Sequence, residues 1–263
     1  MFYPLVSVLG LEGWVDLFNF SPNDWQGPRE KPALISLIYP DSAARLWRST
    51  ALGRLAPGEN LRVTTQEVPP EALATGVSFL FPSREPLPST MASLPTERIW
   101  TTSTPAWRST VGLRTDRCRV SYQGELEPFP DKGSLLSFHP FIQFGGVRNY
   151  LLALNIQGRP ETDPARLEVH DSRTRRLIDI QPLARNGATI IPLDDYGFGP
   201  TDLPAFVSRE ISAVPFGLGL AHDGSMMSLE HTHPPASFFL HGERWRQQAL
   251  TKQAWFARLE EPV

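Results

Sequence analysis

Short apolar runs separated by prolines and glycines fill most of the chain. Residues 33–39 are almost continuously apolar, which is typical of a strand buried on both faces, and residues 61–65 alternate with a period of two, as in a half-buried strand. Residues 14–20 and 76–81 are rich in aromatic and β-branched side chains. The 26 prolines and 19 glycines are spread between these runs. The pattern therefore predicts an all-β fold of many short strands.

One segment, residues 245–259, has a helical period instead. Its apolar positions recur at approximately helical intervals and are Trp245, Ala249, Leu250, Ala254, Phe256 and Leu259. Glu243 lies at its start and Pro262 beyond its end, as expected for helix termini. We expect a C-terminal amphipathic helix that packs on a sheet of the second half. The alternative is a docking helix that forms homo-oligomers.

The two halves of the chain have a similar order of segments. Residues 133–140 correspond to 13–22, and residues 150–156 correspond to 33–39. Each unit would contain about 100–120 residues, the size of an immunoglobulin-like β-sandwich. We therefore predict two tandem immunoglobulin-like sandwiches related by duplication. The alternative is two β domains that are alike only in composition.

A polar, turn-rich stretch around residues 113–130 separates the predicted units. We expect a first β-sandwich over residues 1–115, a second over 125–241, and a helical segment over 242–263 that packs on the second. The likeness to tandem immunoglobulin-like modules is one of fold, and it implies no particular activity.

Composition excludes several classes of function. A net charge of −3 without a basic cluster gives no electrostatic surface for nucleic acid. Cys118 is the sole cysteine, so neither an intrachain disulfide nor a CxxC metal site can form. No run approaches the roughly 18 apolar residues of a membrane span. A soluble, cytoplasmic protein is expected.

The strongest local signal for chemistry is the segment 230–235, which reads Glu-His-Thr-His-Pro-Pro. On a strand, His231 and His233 would project to one side about 7 Å apart, a spacing suited to binding a metal ion. Glu230 would face the opposite side. His222 lies one hairpin earlier and is the candidate third ligand, although hairpin pairing alone would not bring it beside His231.

Two other interpretations of these histidines remain open. They could hydrogen-bond backbone at a sheet edge beside the double proline, or bind a sugar or carboxylate without metal. No cofactor is expected, with a divalent metal as the alternative. Signatures of a nucleophile elbow, a phosphate-binding loop, a zinc protease or a dinucleotide site do not occur.

Tryptophan offers a second candidate surface, because its ring face matches the apolar face of a sugar. Five of the seven tryptophans belong to the first half, and Trp25 and Trp107 are the two expected to be most exposed. Burial in the core is the simpler interpretation for the others.

The sequence thus favours a non-catalytic binding or assembly module for a carbohydrate or protein partner, with its specific surface on the second unit. The predicted ligand-binding residues are Trp25, Trp107, Glu230, His231 and His233. The alternative is a metal-dependent enzyme that uses His231, His233 and His222 as ligands. The identity of the ligand does not follow from the sequence.

Overall fold

A computed structural model describes residues 1–19, 31–100, 109–122, 124–139, 146–198, 202–231 and 244–260. The predicted all-β class and the C-terminal helix are both confirmed. No helix in these ranges is long and apolar enough to cross a membrane. The strands are β1 (Tyr3–Val6), β2 (Glu12–Phe18), β3 (Ala33–Asp41), β4 (Leu46–Leu55), β5 (Asn60–Thr64), β6 (Val77–Ser83), β7 (Thr90–Met91), β8 (Ser109–Arg114), β9 (Arg119–Tyr122), β10 (Leu135–Phe138), β11 (Val147–Leu154), β12 (Ala165–Asp171), β13 (Leu177–Leu183), β14 (Ala188–Pro192), β15 (Pro204–Ser208), β16 (Val214–Ala221) and β17 (Met227–His231), and the helix is α1 (Arg244–Glu260).

These strands form four separate sheets. Their orders are β1-β6-β3-β4-β7, β5-β2-β8-β9, β10-β15-β12-β13 and β14-β11-β16-β17. The pairs with a resolved register are antiparallel, as in β3 with β4 and β16 with β17. Two short 3-10 turns, Pro70–Leu73 and Asp194–Tyr196, lie in the connections.

The prediction of tandem immunoglobulin-like sandwiches is wrong. An immunoglobulin domain pairs its first two strands within one sheet, whereas here β1 pairs with β6, and β2 pairs with β5 and β8. Four sheets of four or five strands match the blade number and blade size of a four-bladed β-propeller. Apolar runs and turn residues predict strands, but they do not specify which strands pair.

The tandem repeat was also predicted with the wrong correspondences between segments of the two halves. The sequence predicts that residues 133–140 correspond to residues 13–22, but β10 lies at the edge of its sheet while β2 lies inside its own. The same repeat predicts that residues 98–105 correspond to residues 227–234, which include β17, but residues 98–100 are not a strand. The matched segments therefore do not occupy equivalent places in their sheets.

The chain divides into two compact units. The first contains Met1–Phe129, Leu154–Asp163 and Ala184–Ala188, and the second contains Pro130–Ala153, Pro164–Leu183 and Thr189–Val263. Within the first unit, Trp47 Nε1 donates a hydrogen bond to the Gly158 carbonyl at 3.1 Å. The buried Asn186 amide donates to the carbonyls of Arg159 and Glu161. These bonds hold the two later segments within the first unit.

Both sheets of the first unit contribute to one apolar core. Its buried members include Tyr3, Val15, Leu37, Leu80 and Val111, which come from β1, β2, β3, β6 and β8. The strand at residues 33–39, predicted to be buried on both faces, has Leu37 and Ile38 fully buried side by side.

The second unit has an inner core and a separate apolar cluster beneath the helix. Leu135, Leu167 and Phe206 belong to the inner core. The next residues on β10 and β15 point to the other face, where Leu136 and Val207 belong to one buried apolar cluster with Leu259 of α1. Because α1 covers this cluster, its apolar side chains are removed from water.

Candidate functional site at the edge of β17

The predicted residues Glu230 and His231 lie at the end of β17, an edge strand of the second unit. A turn through Asp223 and Gly224 connects β16 to β17. Asp223 Oδ1 accepts hydrogen bonds from the Ser225 N–H at 3.0 Å and the Ser225 hydroxyl at 2.6 Å. Gly224 has a φ of +69°, which glycine adopts without steric cost. The local sequence thus fixes the hairpin.

The turn also determines which backbone groups of β17 point outward. The Ala221 N–H donates to the Met226 carbonyl at 2.9 Å, so Ala221 and Met226 form a hydrogen-bonded pair. Hydrogen-bonded and non-hydrogen-bonded pairs alternate along an antiparallel ladder. The register pairs Leu220 with Met227 and Leu218 with Leu229. Consequently the backbone groups of Met227, Leu229 and His231 face away from β16.

This outward edge is open over at least part of its length. Within the described residues, the backbone N–H groups of Met227 and Leu229 have no hydrogen-bond partner. The strand contains no proline, and Glu230 is its one charged residue apart from the histidine. It therefore lacks most of the devices that protect an edge strand from pairing with another chain.

Two other sheet edges are closed by acidic side chains. At β5, the outward N–H of Thr64 donates to Glu67 Oε2 at 2.7 Å. At β13, the N–H of Ile180 donates to Asp179 Oδ1 at 2.7 Å, and Pro182 has no N–H to offer. In both cases a donor that could bind an incoming strand is already occupied.

The carboxylate that closes β13 is held in its ionised form. Hydrogen bonds from the Gln181 side chain, the Ile180 N–H and the Tyr196 hydroxyl lower the pKa of Asp179 below its ordinary value. Burial, followed by the hydrogen bond to Asp179, raises the pKa of Tyr196 to about 12. Asp179 thus remains an acceptor, and Tyr196 a donor, at neutral pH.

Two further edges carry other protective features. β9 has only four residues and presents the exposed Arg119, while β14 ends in Pro192. Charged residues, prolines and short length are recurrent means of protecting edge strands. β17 differs from these strands because its five residues combine an intact backbone with mostly uncharged side chains.

No protein-family model, curated protein or solved structure matches this chain. An all-β architecture with four sheets is compatible with a non-catalytic binding or assembly module.

The histidines predicted as metal ligands lie at opposite ends of the hairpin. His231 is paired with Phe216, whose ring centroid lies 5.5 Å from that of the imidazole. His222 lies in the turn, where its N–H donates to the Gly146 carbonyl at 2.9 Å. Phe216 and His222 are six positions apart along extended backbone, a distance of roughly 20 Å. The hairpin alone does not bring the two imidazoles together.

His233, Trp25 and Trp107 lie outside the described residues. Their assignment to a binding surface stays a prediction. Within the described ranges, no group of three or more His, Cys, Asp or Glu side chains is placed to hold a metal ion. Trp14, Trp47 and Trp100 are buried in the first unit, as their simpler interpretation predicted.

A serine–histidine pair, Ser137 and His139, lies inside the second unit. Ser137 Oγ and His139 Nε2 are 3.1 Å apart, and both residues are fully buried. Burial lowers the pKa of His139 to about 3. A neutral imidazole without access to solvent cannot receive a substrate directly, so we assign this pair a structural role.

The open backbone of Leu229 was missed in the sequence because no side-chain motif marks it. One signal was available, however. The turn at residues 223–225 determines which residues of the hairpin form hydrogen-bonded pairs. It therefore also determines which residues of β17 have backbone groups that face away from β16. Pro182 is the corresponding signal of a closed edge at β13.

Proposed function

We propose that this protein is a non-catalytic binding module that adds an extended protein segment to its sheet along β17. The observation that carries the proposal is that the outward N–H groups of Met227 and Leu229 have no partner among the described residues, in contrast to the occupied donors at Thr64 and Ile180. Addition of a strand to an exposed sheet edge is a recurrent mode of peptide recognition, in which backbone hydrogen bonds supply affinity.

Side chains on either face of β17 define what the bound segment would meet. Leu229 and His231 share one face and are paired with the buried Leu218 and Phe216. Ser228 and Glu230 share the other face, opposite glycines of β16. An alternating segment with apolar residues on the first face and polar or basic residues on the second fits this strand, because alternate side chains supply specificity.

A protein segment is favoured over a carbohydrate. Trp14, Trp47 and Trp100 are almost fully buried and offer no ring face to a sugar, and Trp25 and Trp107 lie outside the described residues. An extended peptide uses the backbone groups that β17 leaves open. The metal-dependent alternative receives no support from the described residues, because His222 and His231 lie at opposite ends of their hairpin.

A library of random heptapeptides displayed on phage provides a probe that requires no known partner. The full chain is immobilised, and enriched peptides are synthesised and titrated against wild type and two proline variants. Leu229→Pro removes an outward N–H from β17, and Ile180→Pro is the matched control because it removes an outward N–H that Asp179 already occupies. Circular dichroism establishes that each variant is folded.

We expect peptides that bind wild type and Ile180→Pro equally and lose at least tenfold in affinity for Leu229→Pro. Binding should also protect the Met227 and Leu229 amides from hydrogen exchange. Peptides that bind all three proteins equally, or a library without enrichment, would overturn the proposal.

A further inference from the structure

We infer that β17 pairs with β17 of a second copy of this chain, so that two four-stranded sheets join into one sheet of eight strands. This inference rests on the proposed function, since it identifies the segment that the open edge accepts. A second copy is the occupant because β17 fits its own copy in three respects. The outward backbone groups of two copies can pair in antiparallel register, Glu230 then lies opposite the uncharged Ser228, and the buried hydroxyl of Ser228 gains a hydrogen-bond partner.

The backbone register favours an antiparallel pair centred on Leu229. In that arrangement Leu229 lies opposite its own copy, and Met227 lies opposite His231. All of these residues have outward-facing backbone groups, as the turn at Ala221 and Met226 requires. The Leu229 pair at the centre would exchange two hydrogen bonds between the copies.

Charge selects the same register. A pair centred on Glu230 would place the two carboxylates directly opposite each other, which is destabilising. The register centred on Leu229 instead places Glu230 opposite Ser228 of the second copy. Because Ser228 and Glu230 form non-hydrogen-bonded pairs across the new edge, their side chains approach closely.

Ser228 provides an independent observation. Its Oγ is buried and has no hydrogen-bond partner among the described residues. A buried hydroxyl without a partner is energetically costly. In the register centred on Leu229, the hydroxyl can donate to the carboxylate of Glu230 in the second copy, and the symmetry of the pair forms this bond twice.

The interface is small, because it consists of five residues from each copy. Interfaces of this size are typical of weak and transient association. We therefore expect a monomer–dimer equilibrium that depends on protein concentration, with an affinity much below that of an obligate dimer.

Analytical ultracentrifugation of the full chain across a concentration series tests the association. Wild type and Ile180→Pro should shift from monomer towards dimer as concentration rises. Leu229→Pro should remain monomeric over the same range, and Ser228→Ala should dimerise more weakly than wild type. Dimers that persist in folded Leu229→Pro would overturn the inference.

A cross-linking experiment avoids dependence on a proline variant. Leu229→Cys in a Cys118→Ser background would place two thiols on residues about 5.5 Å apart between Cα atoms, a distance that a disulfide spans. We expect oxidation to give a covalent dimer. Ile180→Cys in the same background is the control and should stay monomeric.

The outcomes separate this inference from the proposed function. A wild-type protein that stays monomeric and forms no cross-link, yet binds heptapeptides through β17, refutes self-pairing and leaves the binding function in place. A wild-type protein that neither dimerises nor binds heptapeptides refutes both. Cross-linked dimers whose formation requires Leu229→Cys support self-pairing.

Discussion

The Ile180 N–H donates to the carboxylate of the preceding residue, Asp179, at 2.7 Å. This short contact occupies the donor that the edge of β13 would otherwise present. Three exposed apolar residues, Leu177, Ile180 and Leu203, lie on or near the same sheet. Since exposed apolar edge strands are prone to pair with other chains, we expect Asp179 and Pro182 together to keep β13 from associating.

Opening the β13 edge should therefore create a new association. In Asp179→Ala/Pro182→Thr, both edge positions gain an available N–H. We expect light scattering and sedimentation to detect oligomers at concentrations where wild type shows at most the dimer. Asp195→Ala removes an exposed acid from a loop and is the control for charge. An unchanged sedimentation profile in the double variant would contradict the protective role of Asp179 and Pro182.

His139 should make the fold sensitive to mild acid. Its pKa is lowered by burial from 6.5 to about 3, so the unfolded chain binds a proton between these pH values and the folded chain does not. The contribution of the neutral His139 to the free energy of unfolding is fully present above pH 6.5. It decreases as the pH falls towards 3, by about 1.4 kcal/mol per pH unit. Denaturant unfolding between pH 4 and 6 should show a shallower pH slope in His139→Gln than in wild type.

The matched control for this experiment is His222→Gln, since His222 lies exposed in the β16–β17 turn. Other titrating groups also affect stability in acid, so the quantity compared is the difference in slope between each variant and wild type. Equal slopes in His139→Gln and wild type would show that the buried imidazole does not control acid stability.

Gly112 should tolerate no side chain. A Cβ at this position on β8 would lie 2.4 Å from the Val120 carbonyl oxygen and 2.5 Å from the Trp14 ring. Both are fixed by the sheet, so Gly112→Ala should lower the free energy of unfolding by about 1–3 kcal/mol. Gly158→Ala, where a Cβ would meet nothing within 4 Å, is the control and should stay within about 0.5 kcal/mol of wild type. Urea denaturation measures both.

The sequence predicted the elements better than their arrangement. The apolar run at residues 33–39 predicted β3 because burial on both faces leaves a local pattern, and the helical period at 245–259 predicted α1 in the same way. The pairing of β1 with β6 depends on contacts between distant residues, which no local pattern records. Assigning immunoglobulin topology to these strands was therefore an error of pairing, not of strand identification.

The candidate site was predicted only in part. Glu230 and His231 lie on the strand that we propose as the binding edge, but the sequence predicts both as ligand-binding side chains and His231 also as a metal ligand. The proposed edge instead depends on the backbone of Met227 and Leu229. Backbone availability is a property of the whole sheet, because it requires knowing that β17 is the last strand in its order.

The final prediction concerns the packing of α1. Trp255 contacts the Phe138 ring edge to face, with centroids 4.9 Å apart, and its ring also lies near the Arg258 guanidinium. Trp255→Ala should lower the free energy of unfolding by about 1–3 kcal/mol and increase hydrogen exchange along the helix. Leu250→Ala is the control because that side chain is 50% exposed, and it should change stability little. If both variants have wild-type stability and exchange, the helix does not depend on this aromatic contact for its position on the sheet.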